Sequence, residues 1–212
     1  MKTKYLKSLI FPLTIEMLFI LGCFLCSPKD HIFLNFLFYL ILAIYFSWNK
    51  DFSLKEWWKA VRSGGRFWKQ VLLTILFLSL AFVFTNFLES LFPDLDKGMI
   101  HLRADCWLKL VLYAASTILL PPIAEEIFYR KLLISFKSKK ILIATTVLSM
   151  FLFALEHAFA IWGIFLCMIW GLPLSLSYIR TRNLYVPMTA HLICNIIING
   201  LTVFEVCNFL LS

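Results

Sequence analysis

Seven long apolar segments divide this sequence and constrain its fold more than any other feature. Each is close to the roughly 20 residues that an α-helix needs to cross the hydrocarbon core of a bilayer. A membrane-spanning helix satisfies its own backbone hydrogen bonds, so we expect these segments to be helical. The sequence therefore predicts an all-α, polytopic membrane bundle with about seven transmembrane helices, in a range of roughly six to eight. The segments are 8–26, 31–48, 71–92, 106–122, 141–160, 162–179 and 184–211.

The composition excludes a water-soluble globular protein. Hydrophobic residues make up 61% of the chain and charged residues 15%, against roughly 45–50% and 25% in soluble domains. No linker rich in Gly, Ser or Pro separates the segments, so residues 1–212 are predicted to form a single transmembrane domain. The net charge of +8 lies in short stretches between apolar segments. We therefore expect these stretches to contact membrane lipid and not nucleic acid.

The positions of the basic residues predict the topology and one interfacial helix. Most of the 20 Lys and Arg residues lie in four stretches: 1–7, 49–70, 130–140 and 180–182. The positive-inside rule then places the N-terminus in the cytoplasm of a multi-pass protein, which we assign to a bacterial cytoplasmic membrane. In residues 51–69, Trp and Phe alternate with Lys and Arg. This pattern predicts an interfacial amphipathic helix that is interrupted at Gly64 and Gly65.

Two glutamates follow a proline pair at the end of the fourth segment. The prolines at 121–122 remove two backbone donors, so the incoming helix should break and a new helix should begin near Ile123. Glu126 and Arg130 are four residues apart, which predicts an ion pair on one helix face and leaves Glu125 available for chemistry. An interfacial cap neutralised by Arg130 would account for the same residues. A charge near the bilayer centre costs about 2.5–3.5 kcal/mol, so such residues usually have a function.

Two further pairs of side chains lie four residues apart and share a helix face. Phe153 and His157 lie near the end of the fifth segment, and His191 and Asn195 lie in the last segment. Glu156 is expected to point away from His157 toward an interface, without a role. Taken alone, each histidine is equally consistent with a hydrogen bond between membrane helices.

Taken together and in this order, the motifs resemble those of the CAAX prenyl endopeptidase and bacteriocin-processing (Abi) family of intramembrane proteases. The family motifs are two glutamates with an arginine four residues after the second, then Phe-x-x-x-His, then His-x-x-x-Asn. They match Glu125, Glu126 and Arg130, then Phe153 and His157, then His191 and Asn195. The resemblance covers about residues 105–200, with the motifs inside 121–195. A glycine commonly follows the motif arginine; Lys131 stands there, and we expect it to alter packing but not chemistry.

The resemblance implies an endopeptidase whose catalytic residues are Glu125, Glu126, Arg130, His157, His191 and Asn195. It implies that Glu125 and His157 activate a water molecule, while His191 and Asn195 stabilise the oxyanion. The remaining Glu–Arg pair would orient and neutralise the site. We expect the substrate to be a membrane-associated peptide or lipidated protein, either prenylated or carrying a leader.

Zinc is the alternative to this metal-free mechanism. Glu125, His157 and His191 also form a set of two histidines and one carboxylate, which suits Zn²⁺ with an open position for water. The helical His-Glu-x-x-His signature is absent, and Asn is a poor zinc ligand. The sequence therefore favours hydrolysis without a cofactor.

Two other functional classes stay open. The first is a non-catalytic membrane partner, such as a bacteriocin immunity or regulatory protein that keeps the motifs. The second is a proton- or ion-coupled transporter, because buried Glu and His residues form proton relays. Many transporters consist of two related halves, and this sequence contains no internal repeat. Substitution of Glu125 distinguishes the protease from the non-catalytic partner.

Overall fold

The computed structural model describes residues 2–212, and it describes side chains from residue 8 onward. Within residues 2–212 the chain is helical and forms no strand, which confirms the all-α prediction. Met1 and the side chains of the first basic stretch, 1–7, lie outside the described residues. The α-helices are α1 (Lys2–Leu25), α2 (His31–Trp48), α3 (Leu54–Val61), α4 (Gly65–Leu91), α5 (Trp107–Ala114), α6 (Pro121–Glu125), α7 (Lys139–Leu155), α8 (Ile161–Thr181) and α9 (Tyr185–Leu211).

Six helical stretches are long and apolar enough to cross a membrane, by length and composition, among the residues that the structure describes. They are Ser8–Leu25, His31–Trp48, Gly65–Leu91, Trp107–Leu132, Ile161–Thr181 and Tyr185–Leu211. The fifth predicted segment forms α7, which has 17 residues and ends at Leu155, not at residue 160. The last segment forms one continuous helix, Tyr185–Leu211. The chain is therefore a multi-pass membrane protein, and its orientation stays a prediction.

Large apolar side chains cover the outer faces of the helices. On α4, for example, Leu72, Leu76, Phe77 and Leu80 are each more than half exposed. A soluble monomer rarely exposes so large a contiguous apolar surface, whereas the surface of a membrane helix faces lipid chains.

The amphipathic helix α3 is shorter than predicted. The Ser53 hydroxyl caps its first turn by accepting a hydrogen bond from the backbone N–H of Glu56 at 3.3 Å. Gly64 has a φ of +99°, a conformation that favours glycine, and α4 begins at the next residue. The interruption at the two glycines is therefore confirmed. The second half of the predicted interfacial segment forms the first turn of a membrane helix instead.

The chain forms two compact units. The first contains the chain up to Phe52 together with His101–Phe128 and Leu192–Ser212, and the second contains Ser53–Ile100 and Tyr129–His191. In the first unit α1 packs on α2, where the rings of Phe19 and Phe38 stack with centroids 4.7 Å apart. In the second unit α8 packs against both α4 and α7.

Candidate active site

A break in the helix precedes the two glutamates. The incoming helix ends in the π-helical segment Ala115–Leu119, and α6 begins at Pro121. The two prolines occupy the first positions of α6, where a backbone N–H has no partner inside the helix and proline is tolerated. The α-helix is interrupted here as predicted, inside a helical stretch that continues from Trp107 to Leu132, and α6 begins two residues before Ile123.

The amide of Asn199 replaces a backbone donor that the prolines remove. The carbonyl of Thr117 would accept from residue 121 in an α-helix or from residue 122 in a π-helix, and both are proline. The Nδ2 of Asn199 donates to this carbonyl at 2.9 Å. A buried carbonyl without a donor costs about 1–3 kcal/mol, so this hydrogen bond stabilises the break.

The amide of Asn35 serves the neighbouring carbonyl in the same way. The N–H of Leu120 binds the carbonyl of Ala115, so it is not available to Ser116. The π-helical partner of Ser116 would be Pro121, which has no N–H. The Nδ2 of Asn35 donates to the Ser116 carbonyl at 3.3 Å. Side chains from α2 and α9 thus supply donors to two carbonyls of the break.

Glu125 is buried and held by a tyrosine. It is the last residue of α6 and is 2% exposed. The hydroxyl of the buried Tyr39 donates to its Oε1 at 2.5 Å, within the range of a hydroxyl bound to an ionised carboxylate. Tyr39 lies one turn after Asn35 on α2, so one face of this helix supports both the break and the carboxylate.

Glu126 begins a second π-helical segment, Glu126–Leu132, and is fully buried. In this segment the backbone hydrogen bonds follow an i→i+5 pattern, so the α-helical geometry behind the predicted Glu126–Arg130 spacing does not apply unchanged. Single π-helical turns inside α-helices are frequent at functional sites. The ion pair between Glu126 and Arg130 stays a prediction.

Arg130 is fully buried against aromatic rings of the second unit. Its Cζ lies 5.0 Å from the ring centroid of Phe153 and 5.9 Å from that of Tyr129. A cation above an aromatic face is stabilised by about 2 kcal/mol or more when it is desolvated. The motif phenylalanine therefore contributes to binding the motif arginine, a contact that the sequence spacing did not predict.

Glu156, to which the sequence assigned no role, is buried and has a structural partner. The carboxylate is 4% exposed and accepts a hydrogen bond from the hydroxyl of Tyr129. The backbone carbonyl of Tyr129 in turn accepts a hydrogen bond from the Ser149 hydroxyl at 2.6 Å. These contacts tie the π-helical segment to α7 and to the residue that follows it.

His157 lies two residues beyond the end of α7 and still packs on Phe153. The ring centroids are 4.7 Å apart, which confirms that the two side chains share a face. The Nδ1 of His157 lies 2.9 Å from the Phe153 carbonyl. Because a carbonyl oxygen only accepts, Nδ1 carries the proton, and Nε2 of the neutral ring has the lone pair. This tautomer makes Nε2 the atom that can accept a proton.

A remote backbone segment fixes the position of His157. The N–H of Ile100 donates to the His157 carbonyl at 2.8 Å, and the N–H of Phe159 donates to the Gly98 carbonyl at 3.0 Å. Gly98 has a φ of +53°, and a Cβ there would lie 2.5 Å from the backbone nitrogen of Ala160. Glycine is therefore required at this position for the two segments to pair.

His191 and Asn195 both lie on α9. His191 is buried, and Asn195, one turn later, is partly exposed. Two residues before His191, the hydroxyl of Thr189 accepts a hydrogen bond from the indole N–H of Trp57 at 2.8 Å. The amphipathic helix α3 therefore packs against the first turns of α9, next to the histidine.

The described side chains, from residue 8 onward, contain no group of three or more His, Cys, Asp or Glu residues placed to hold one metal ion. The candidate zinc ligands Glu125, His157 and His191 are therefore not identified as such a group. The choice between metal-free and zinc-dependent hydrolysis stays a proposal.

The comparison with known families agrees with the motifs. Residues 107–197 match the family described as Rce1-like, type II CAAX prenyl endopeptidase Rce1-like. This segment begins at the first residue of α5 and contains all three motifs. No curated protein and no solved structure matches the chain. Residues 107–197 are therefore similar to the CAAX-type endopeptidase family of intramembrane proteases, which supports the resemblance that the motifs indicate.

Proposed function

We propose that this protein is an intramembrane endopeptidase in which Glu125 and His157 activate the attacking water. The strongest support is the environment of Glu125: the carboxylate is buried, and one of its oxygens accepts the hydroxyl of Tyr39. A carboxylate fixed in this way cannot rotate freely, so its other oxygen has a defined direction. General base catalysis by a positioned group contributes about 10²–10⁴-fold to a rate.

His157 supports the same proposal through its tautomer. With Nδ1 bound to the Phe153 carbonyl, Nε2 is able to accept a proton from water and to return it to the leaving amine. Its ring is held by Phe153 and its backbone by Ile100, so it is positioned before any substrate binds.

His191 and Asn195 are assigned to the oxyanion. Peptide hydrolysis places negative charge on the carbonyl oxygen, and each donor directed at that charge is worth about 2.7–4 kcal/mol. The Glu126–Arg130 pair orients and neutralises the site. Because these residues lie on apolar helices, we propose a membrane-associated peptide or lipidated protein as the substrate.

Glu125→Gln tests the proposal because it keeps the shape of the side chain and removes its charge. Cells that produce the wild-type protein should release membrane peptides that cells with Glu125→Gln do not release, as measured by mass spectrometry of the membrane peptidome. Glu16→Gln is the matched control: Glu16 is equally buried, on α1, outside the family segment. It should leave the peptides unchanged.

The outcomes separate the functional classes. Loss of the peptides in Glu125→Gln, His157→Ala and His191→Ala, with normal membrane insertion, supports the protease. Full release in Glu125→Gln contradicts it. If no peptide differs but the variant still confers protection or regulation, the non-catalytic partner is correct. Stoichiometric zinc in the purified protein, with reversible loss of cleavage on chelation, would replace the metal-free mechanism by the zinc-dependent one.

A further inference from the structure

A groove between α4 and α8 lies outside the predicted catalytic residues. Its cavity has a volume of about 670 Å³, which falls within the roughly 300–1,000 Å³ of typical ligand sites. Gln70 to Phe84 of α4 and Ile169 to Arg180 of α8 contribute its walls. Both helices belong to the second compact unit.

Small side chains at the helix contact create the groove. Thr74 and Ala81 of α4 face Pro173 and Ser177 of α8 along the cavity. The hydroxyls of Thr74 and Ser177 lie 2.8 Å apart and bind each other. Because these polar atoms already have partners, the floor of the groove offers little hydrogen bonding to a ligand.

Large apolar side chains stand on both sides of this floor. Phe77, Leu80 and Leu176 line the cavity and are each about half exposed on the surface of the membrane helices. The groove is therefore apolar and opens sideways, where the hydrocarbon chains of the bilayer lie. Its shape and polarity fit a hydrocarbon chain.

One end of the groove is basic. Gln70 and Arg180 also line a second cavity of about 390 Å³, together with Arg66. Arg66 and Arg180 are both exposed. Of the described residues that line either cavity, none is acidic. The two arginines thus give the polar end an excess of positive charge.

We propose that the groove binds an anionic phospholipid, with one acyl chain between α4 and α8 and the phosphate at Arg66 and Arg180. Guanidinium groups bind phosphate through two parallel hydrogen bonds. A zwitterionic headgroup carries its own cation, which offsets part of the attraction between its phosphate and the arginines. The positive-inside pattern assigns this end of α4 and α8 to the cytoplasmic leaflet, whose surface is anionic. The proposal uses none of the predicted catalytic residues and is independent of the proposed function.

Native mass spectrometry of the purified full-length protein tests the headgroup. The protein should retain phosphatidylglycerol in preference to phosphatidylcholine with the same acyl chains. Arg180→Gln and Arg66→Gln should each lower this retention about fivefold, and the double variant more. Lys69→Gln is the matched control, because Lys69 is exposed on α4, loses the same charge and lines neither cavity. It should retain the lipid like the wild type.

Two further measurements test the acyl chain. Ala81→Phe should fill the groove and lower retention of phosphatidylglycerol while both arginines remain. Inorganic phosphate at millimolar concentration should not displace the lipid; displacement would mean a free-anion site. Equal retention of both lipids, or a double arginine variant that behaves like Lys69→Gln, would overturn the proposal. The arginine variants change exposed residues and should fold normally. Their lipid retention therefore tests the proposal even if Ala81→Phe does not fold.

Discussion

Tyr39 and Glu125 are joined by a hydrogen bond of 2.5 Å although 86 residues separate them in the sequence. The tyrosine belongs to α2, outside the segment that matches the family, and the glutamate is the first residue of the family's first motif. The first half of the chain thus supplies a direct contact to the proposed catalytic base.

Tyr39→Phe should lower the turnover number about tenfold and leave the folded protein intact. The change removes one donor from the Glu125 carboxylate, which then loses its fixed orientation. Cleavage of a released membrane peptide by the protein in liposomes measures the effect. Tyr45→Phe on the same helix is the control, since the Tyr45 ring stacks on Phe11 and would be kept. Equal rates for both variants would contradict a role for the Tyr39 hydroxyl.

Asn199→Leu should lower the free energy of unfolding by about 1–3 kcal/mol, because the Thr117 carbonyl loses its donor. Pro121→Ala restores a backbone N–H that can bind the same carbonyl. The cost of Asn199→Leu should therefore be smaller in the Pro121→Ala background. A double-mutant cycle, measured by unfolding in mixed detergent, gives the coupling energy. Additive effects would show that the asparagine does not replace the missing backbone donor.

Gly163→Ala should reduce both stability and cleavage. A Cβ on Gly163 would lie 1.9 Å from the Lys97 carbonyl, so the segment that binds the backbone of His157 must move. Gly200→Ala is the control, because its Cβ would meet nothing within 4 Å in α9. Alanine there should stabilise the helix by up to about 1 kcal/mol. Thermal unfolding and the cleavage assay measure both variants. Unchanged stability and cleavage in Gly163→Ala would contradict the close approach of Gly163 to the Lys97 carbonyl.

Arg130→Lys should destabilise the protein although the charge is kept. A lysine can still approach the Phe153 ring, but its ammonium is more strongly hydrated and cannot stack as the planar guanidinium does, so the buried variant should lose up to about 2 kcal/mol of stability. Arg182→Lys is the comparison, because Arg182 lies over Phe136 but is exposed. Its cost should be about 0.5–1 kcal/mol. Similar losses of unfolding free energy in the two variants would contradict the importance of burial.

Local patterns predicted most of the fold. The apolar segments lie in helical stretches, although the stretch Gly65–Leu91 begins before residue 71 and Trp107–Leu132 continues past residue 122. The interruptions at Gly64 and at the proline pair occur close to where they were expected. These features depend on neighbouring residues: segment length for a membrane helix, positive φ for glycine and the missing N–H for proline. The end of α7 was missed because it is set by pairing with Ile100, which lies far away in the sequence.

The motif residues could be found from spacing, but their partners could not. Asn35, Tyr39 and Asn199 have no neighbours at helical spacing that suggest a role, because each binds a residue more than 80 positions away. The structural role of Glu156 could not be predicted for the same reason. Its orientation relative to His157 on the helix does not indicate a hydrogen bond with Tyr129. The π-helical backbone after Glu125 could not be predicted from the sequence either, because no residue type specifies a π-helix.

The asparagine bonds at the proline break impose an order on biosynthesis. Asn35 leaves the ribosome before the break and Asn199 long after it. The Ser116 carbonyl can therefore bind Asn35 early, whereas the Thr117 carbonyl can bind Asn199 only after α9 has been synthesised. A nascent chain halted before α9 would therefore lack one of the two side-chain donors at the proline break that precedes Glu125.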